Sequence, residues 1–244
     1  SLRYKNRHVS ADVGVTTMMH EAFKLKSANK AKEALDAFLA VGKNTELQRT
    51  EGERQTYMCS QTMACECYEA LHRHEEAYLL AKKLMQGNIS EAEKEQARHL
   101  YALNGYMHAV TLMHNDNAQY AKARGILEEI APYADRDLMQ YVAPKIPLSW
   151  YFEGASHYMS QEHDEALECY RHALEGYREQ GNKKDELSVL KRMAAAKMAR
   201  YDVAGAEEMY HQALSLTKET GDAGAQIDIL KELWDIRNRI GDVR

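Results

Sequence analysis

The chain has 244 residues and 27.9 kDa, enough for one elongated domain or two compact ones. Only 3 Pro and 13 Gly punctuate it, too few for the turns of a β-sandwich or barrel. Its 28% of charged residues, mean hydropathy of -0.62 and lack of any apolar run near the roughly 20 residues a bilayer needs exclude a membrane span. A net charge of -5 has the wrong sign for a nucleic-acid or anionic-membrane binder, and 4 Cys are too few for a disulfide scaffold.

Taken in chain order, the apolar periodicity predicts helical hairpins. The first covers residues 11–43 and carries Ala34, Phe38 and Val41, a small, large, apolar triplet on one helical face. The second covers 50–87 with Ala77, Ala81 and Leu84. The third covers 90–133 with Ala123, Leu127 and Ile130; it opens on a capping box of Ser90 with Glu93 and needs an enlarged turn around His114, Asn115, Asp116 and Asn117. Pro132, Pro144 and Pro147 then interrupt the pattern, which predicts a short extra helix over 138–143, a bend within 132–147, and Pro147 in the first turn of the next helix. The fourth hairpin, 146–180, sets Trp150, Gly154 and His157 against Ala166, Tyr170 and Ala173. In the fifth, 183–220, Leu190, Ala194 and Lys197 face Ala206, Tyr210 and Ala213. Gly181 and Gly221 suit left-handed helix ends, followed by Asn182 and Asp222 as N-caps. A terminal helix covers 223–240.

Two stretches align without gaps at a shift of 40, Glu179-Gln180-Gly181-Asn182 with Glu219-Thr220-Gly221-Asp222 and Val189-Leu190-Lys191 with Ile229-Leu230-Lys231. At the same shift Gly241-Asp242-Val243 matches the turn Tyr201-Asp202-Val203, so the sixth copy stops after one helix and the natural chain is expected to continue beyond Arg244. Against this, Trp234 falls where Gly154 and Ala194 stand, which suits a terminal capping helix. The small positions have a physical purpose: they let two helix backbones approach while an aromatic fills the adjoining gap.

These residues resemble the tetratricopeptide repeat (TPR) family, whose motif places Trp, Leu-Gly and Tyr on the first helix and Ala, aromatic, Ala on the second. Trp150, Gly154, Ala166, Tyr170 and Ala173 match it in register, while His157 and Lys197 stand where the family has Tyr. The 40-residue spacing with Gly-Asn or Gly-Asp joints is similar to the long TPR variety of bacterial regulators and sensor proteins. The resemblance implies an all-α superhelix of about five hairpins plus a C-terminal helix, one array over 1–244. It also implies a protein- or peptide-binding scaffold acting through a concave groove, with a sensor or regulatory input region of a longer signalling protein as the second reading.

No nucleophile elbow, phosphate-binding glycine loop or dinucleotide fingerprint occurs, so neither enzyme activity nor a cofactor is expected. Cys65 and Cys67 project about 160° apart on a helix and cannot chelate one ion together; with Cys59 they read as core thiols. His72-Arg73-His74-Glu75-Glu76 lacks the second histidine of a zincin and reads as a solvated turn. One Asn-x-Ser match at Asn88 is too common by chance to indicate secretion, and no compartment follows from the sequence.

The first helices of the hairpins should line the groove. Counting from the aligned small residues places Tyr151, Ala155 and Tyr158 there, then Lys191, Ala195 and Met198, then Lys231, Asp235 and Asn238. Met19, Phe23 and Lys26, and Thr62, Glu66 and Glu69, hold the same places in the first two copies. The peptide-contacting set is expected to be Tyr151, Tyr158, Lys191, Met198, Lys231 and Asn238, the lysines meeting a carboxylate and the tyrosines burying apolar side chains. The family's carboxylate clamp is not reproduced, since Met19 and Phe23 stand where it needs Lys and Asn.

Overall fold

A computed structural model describes the backbone of residues 2–87 and 89–241 and the side chains of 14–87 and 89–239. Asn88, Asp242 and Val243 of the sequence motifs above lie outside the described residues. Within them the chain forms α1 (Leu2–Ser27), α2 (Ala31–Thr45), α3 (Glu51–Ala70), α4 (His74–Met85), α5 (Glu91–His114), α6 (Tyr120–Ile130), a 3-10 turn (Ala131–Tyr133), α7 (Arg136–Met159), α8 (His163–Glu179), α9 (Lys183–Ala199), α10 (Val203–Thr220) and α11 (Ala223–Gly241), with no strand among the described residues. Helices pack on their sequence neighbours, which makes the architecture a succession of TPR-like hairpins.

The chain divides into two compact units, residues 1–111 with 129–138, and 112–128 with 139–244. In the first, Ala22, Ala34, Leu35, Phe38, Ala64 and Cys67 form an apolar cluster. The second is built on α8, α9, α10 and α11, with Tyr170, Ala173, Leu190, Ala194, Ala213 and Ile229 in its core. All fifteen residues of the five sequence triplets are 0–8% exposed. Each fully buried large side chain contributes roughly 1.5–3 kcal/mol, so these stripes decide which faces of the helices meet.

The small positions are sterically required. A Cβ on Gly154 would lie 2.8 Å from two ring carbons of Tyr170 and 3.2 Å from the Ala166 carbonyl oxygen. In the second hairpin Cys65 takes this place, fully buried with its sulfur 3.8 Å from the Ala77 carbonyl oxygen. Cys67 is buried too, whereas Cys59 is exposed, which corrects the reading of all three as core thiols: on α3 it falls outside the stripe that meets α2 and α4.

The turns repeat as strictly as the helices. Asn29, His72, Gln161 and Tyr201 each adopt left-handed φ of 57°, 57°, 64° and 61°, five residues before the first small residue of their triplet. Between hairpins the left-handed residue is Gln48 at 47° after the first, and glycine after the fourth and fifth, Gly181 at 66° and Gly221 at 71°. The caps follow: Asn182 accepts from the Asp185 amide at 3.2 Å and Asp222 from the Ala225 amide at 3.0 Å. Ser90 and Glu93 form the reciprocal capping box at 3.3 and 2.9 Å.

The proline region differs from expectation. Residues 138–143 are not a separate helix, and Pro147 does not begin one; both prolines lie inside the continuous α7. Pro147 has no amide proton for the Ala143 carbonyl, and the Gln180 side-chain amide donates to that oxygen instead, at 2.8 Å. The ring packs where α8 has Gly176, whose Cβ would come within 2.9 Å of Pro147 Cβ. The helix therefore runs through because α8 supplies the room and Gln180, the residue that caps its C-terminal end, supplies the missing hydrogen bond.

Candidate functional site

Helix α7 carries the densest set of aromatic side chains in the second unit, beginning with a layered stack. The Trp150 ring lies 4.3 Å from His172, nearly parallel at 18°, and the Arg124 guanidinium carbon sits 3.3 Å from the Trp150 centroid. Arg124 donates to Ser149 Oγ at 3.1 Å and to Glu153 Oε2 at 2.9 Å, so its charge is met by a carboxylate as well as by the ring. A desolvated cation on an indole face is worth about 2 kcal/mol, which makes this stack a brace for the start of the site.

One residue further, Tyr151 is half-buried against the core of the second unit, as are Tyr158 and Met198. Its ring tilts 48° to that of Tyr170 at 5.9 Å, and its hydroxyl accepts from Arg192 Nε at 3.2 Å. That hydrogen bond raises the Arg192 guanidinium above its ordinary value. Tyr158 meets His163 edge to face at 5.3 Å. Beneath them the Tyr170 hydroxyl is buried without a hydrogen-bond partner among the described residues, and its pKa is pushed up to about 12, chiefly by burial, with the Arg192 charge opposing.

The residues expected from sequence are thus distributed unequally. Tyr151, Tyr158 and Met198 share one apolar cluster, while Lys191, Lys231 and Asn238 are exposed. Lys231 lines a shallow depression on α11 with Ile227, Leu230, Trp234 and Asp235. The cation that touches Tyr151 is Arg192, one residue beyond the Lys191 that helical counting selects. No spacing rule distinguishes the two, because the choice depends on how far a long side chain reaches between α7 and α9. In the first unit Lys26 pairs with Glu66, Phe23 packs edge to face on Phe38 at 5.2 Å, and Thr62 is buried, with little surface to offer a ligand.

Consecutive hairpins with a small residue under each packed aromatic define the chain as a TPR-like helical-repeat protein. Among solved structures it is similar to a thermophilic TPR protein of Thermus thermophilus, with 13% identity and a TM-score of 0.35, over 90% of this chain and 99% of that one. It is also similar to the TPR-like repeats of a putative kinesin light chain from Podosopora anserina, at 15% identity and a TM-score of 0.35, over 87% and 98%. BtubC from P. vanneervenii matches at 12% identity and a TM-score of 0.34, over 95% and 91%. No protein-family model matches the chain, and no curated protein does.

Proposed function

We propose that the chain is a non-catalytic scaffold that binds a protein or peptide across the face formed by α7, α9 and α11. The observation that carries this reading is the half-buried row of Tyr151, Tyr158 and Met198 flanked by the guanidinium of Arg192. Half-buried tyrosines present a rigid apolar face and a polar tip at small entropic cost, and a guanidinium beside them recognises a carboxylate. Lys191 and Lys231 add positive charge along the same helices, in a chain whose net charge is negative. The ligand these groups fit is a segment carrying at least one acidic group and one large apolar side chain.

Peptides selected from a random library against the whole chain should therefore contain an acidic residue near an aromatic or aliphatic one. Lys191→Glu, Arg192→Glu and Lys231→Glu together should abolish binding of such a peptide, as read by fluorescence anisotropy, with helicity by circular dichroism unchanged. Full-strength binding to that triple variant would refute the proposal.

A further inference from the structure

One cluster on the fourth hairpin is unused by the proposed binding face. Glu153 and His157 on α7 and Cys169 on α8 each direct a donor atom to one spot, and the three atoms lie within 4.8 Å of one another. Around a tetrahedral zinc ion, bond lengths of about 2.0–2.3 Å put donors roughly 3.3–3.8 Å apart, so closure asks only for rotamer-scale movement. The donor set of one thiolate, one imidazole and one carboxylate is the borderline-soft mixture zinc prefers, and it does not suit magnesium or calcium.

Two further observations separate this cluster from an accident of packing. First, His157 Nδ1 lies 2.5 Å from Glu162 Oε2, so an ion would bind through Nε2, in the carboxylate–histidine pairing that commonly supports a metal. Glu153 is fixed likewise, one oxygen accepting from Arg124, as a carboxylate can while its other oxygen binds an ion. Second, the repeat supplies an internal control. A shift of 40 residues maps Glu153, His157 and Cys169 onto Met193, Lys197 and Met209, and the corresponding places of the second hairpin hold Ala64, Tyr68 and Leu80. Neither hairpin brings three donor types to this corner. The Cys169 thiol is buried and its pKa is pushed up to about 11, by burial first and the Glu153 carboxylate second. An ion bound here would displace that proton to solvent, its positive charge offsetting the burial that otherwise favours the neutral thiol.

We propose that Glu153, His157 and Cys169 form a zinc site, with water as fourth ligand, that ties α7 to α8 beside Tyr158. The reduced, metal-free full chain should be titrated with Co(II), then with Zn(II). The expected result is a thiolate-to-cobalt charge-transfer band that saturates at one ion per chain, is displaced by Zn(II) and is unaffected by Mg(II). Cys169→Ser should abolish the band, and His157→Gln or Glu153→Gln should weaken Zn(II) binding at least tenfold. Glu162→Gln, acting only through the His157 ring, should weaken it about tenfold. Cys59→Ser, at an exposed thiol on α3, should leave it unchanged. Absence of the band, its survival in Cys169→Ser, or its loss in Cys59→Ser would overturn the proposal. If Cys169→Ser does not fold, undiminished affinity in folded His157→Gln overturns it equally.

Discussion

Replacing Gly154 with alanine sets two known effects against each other, and the structure decides the sign. Alanine is favoured over glycine inside a helix by about 1 kcal/mol. The added Cβ, however, would meet Tyr170 ring carbons at 2.8 Å and the Ala166 carbonyl oxygen at 3.2 Å, around a fully buried ring that cannot swing away. Overpacking of this kind costs roughly 1–3 kcal/mol, so Gly154→Ala should be destabilising by about 1 kcal/mol net. Gly125 on α6 is the matched control, since nothing lies within 4 Å of its Cβ position, and Gly125→Ala should be stabilising by about 0.5–1 kcal/mol. In urea unfolding monitored by circular dichroism the two variants should bracket the wild type with unchanged slope, about 1 M apart in midpoint for a slope of about 2 kcal/mol per M. In a Tyr170→Leu background the Gly154→Ala penalty should shrink, because the clashing ring is gone. A Gly154→Ala protein as stable as Gly125→Ala would show that α7 and α8 do not approach as described.

Tyr201 is 91% exposed and held at φ 61°, a region that costs a non-glycine residue roughly 1–2 kcal/mol, so Tyr201→Gly should raise the melting temperature slightly; a fall would mean the turn is not left-handed. The Glu129 carboxyl is held below its ordinary value of 4.5 by hydrogen bonds, first from Lys82 and then from Tyr101 and Tyr78. Its folded value lies below the unfolded one, so its contribution is full above that range and lost as pH falls. The stability gap between wild type and Glu129→Gln should accordingly narrow on acidification, and a gap independent of pH would refute the assignment. Brief alkylation of the native protein, followed by mass spectrometry, should label exposed Cys59 and spare Cys65, whose pKa burial pushes up to about 12; the reverse order would contradict the packing of α3.

What the sequence made legible was whatever a short-range rule controls. The small-aromatic-small triplets, the glycine ends at 181 and 221, the Asn182 cap and the Ser90–Glu93 box each depend on neighbours within one or two helical turns. Misreadings arose where a distant partner overrides the local rule. Pro147 looks like a helix start until Gln180, 33 positions later, supplies its missing donor. Arg192 rather than Lys191 reaches Tyr151, and no periodicity carries that information. The Glu153, His157 and Cys169 cluster escaped for the same reason: its donors come from two helices, the last two 12 positions apart, with no familiar motif spacing.

The way α8 accommodates Pro147 has a bearing on how this hairpin can change over evolutionary time. Proline at 147, glycine at 176 and glutamine at 180 form a set in which each residue is explained by another, although they come from α7, from α8 and from the residue that caps α8. A chain that loses the proline regains its own backbone bond, freeing 176 to acquire a side chain and 180 to drift. A chain that keeps the proline but loses either partner inherits a clash or an orphaned carbonyl. Homologues should therefore exchange these three positions together, and their joint variation offers a record of descent.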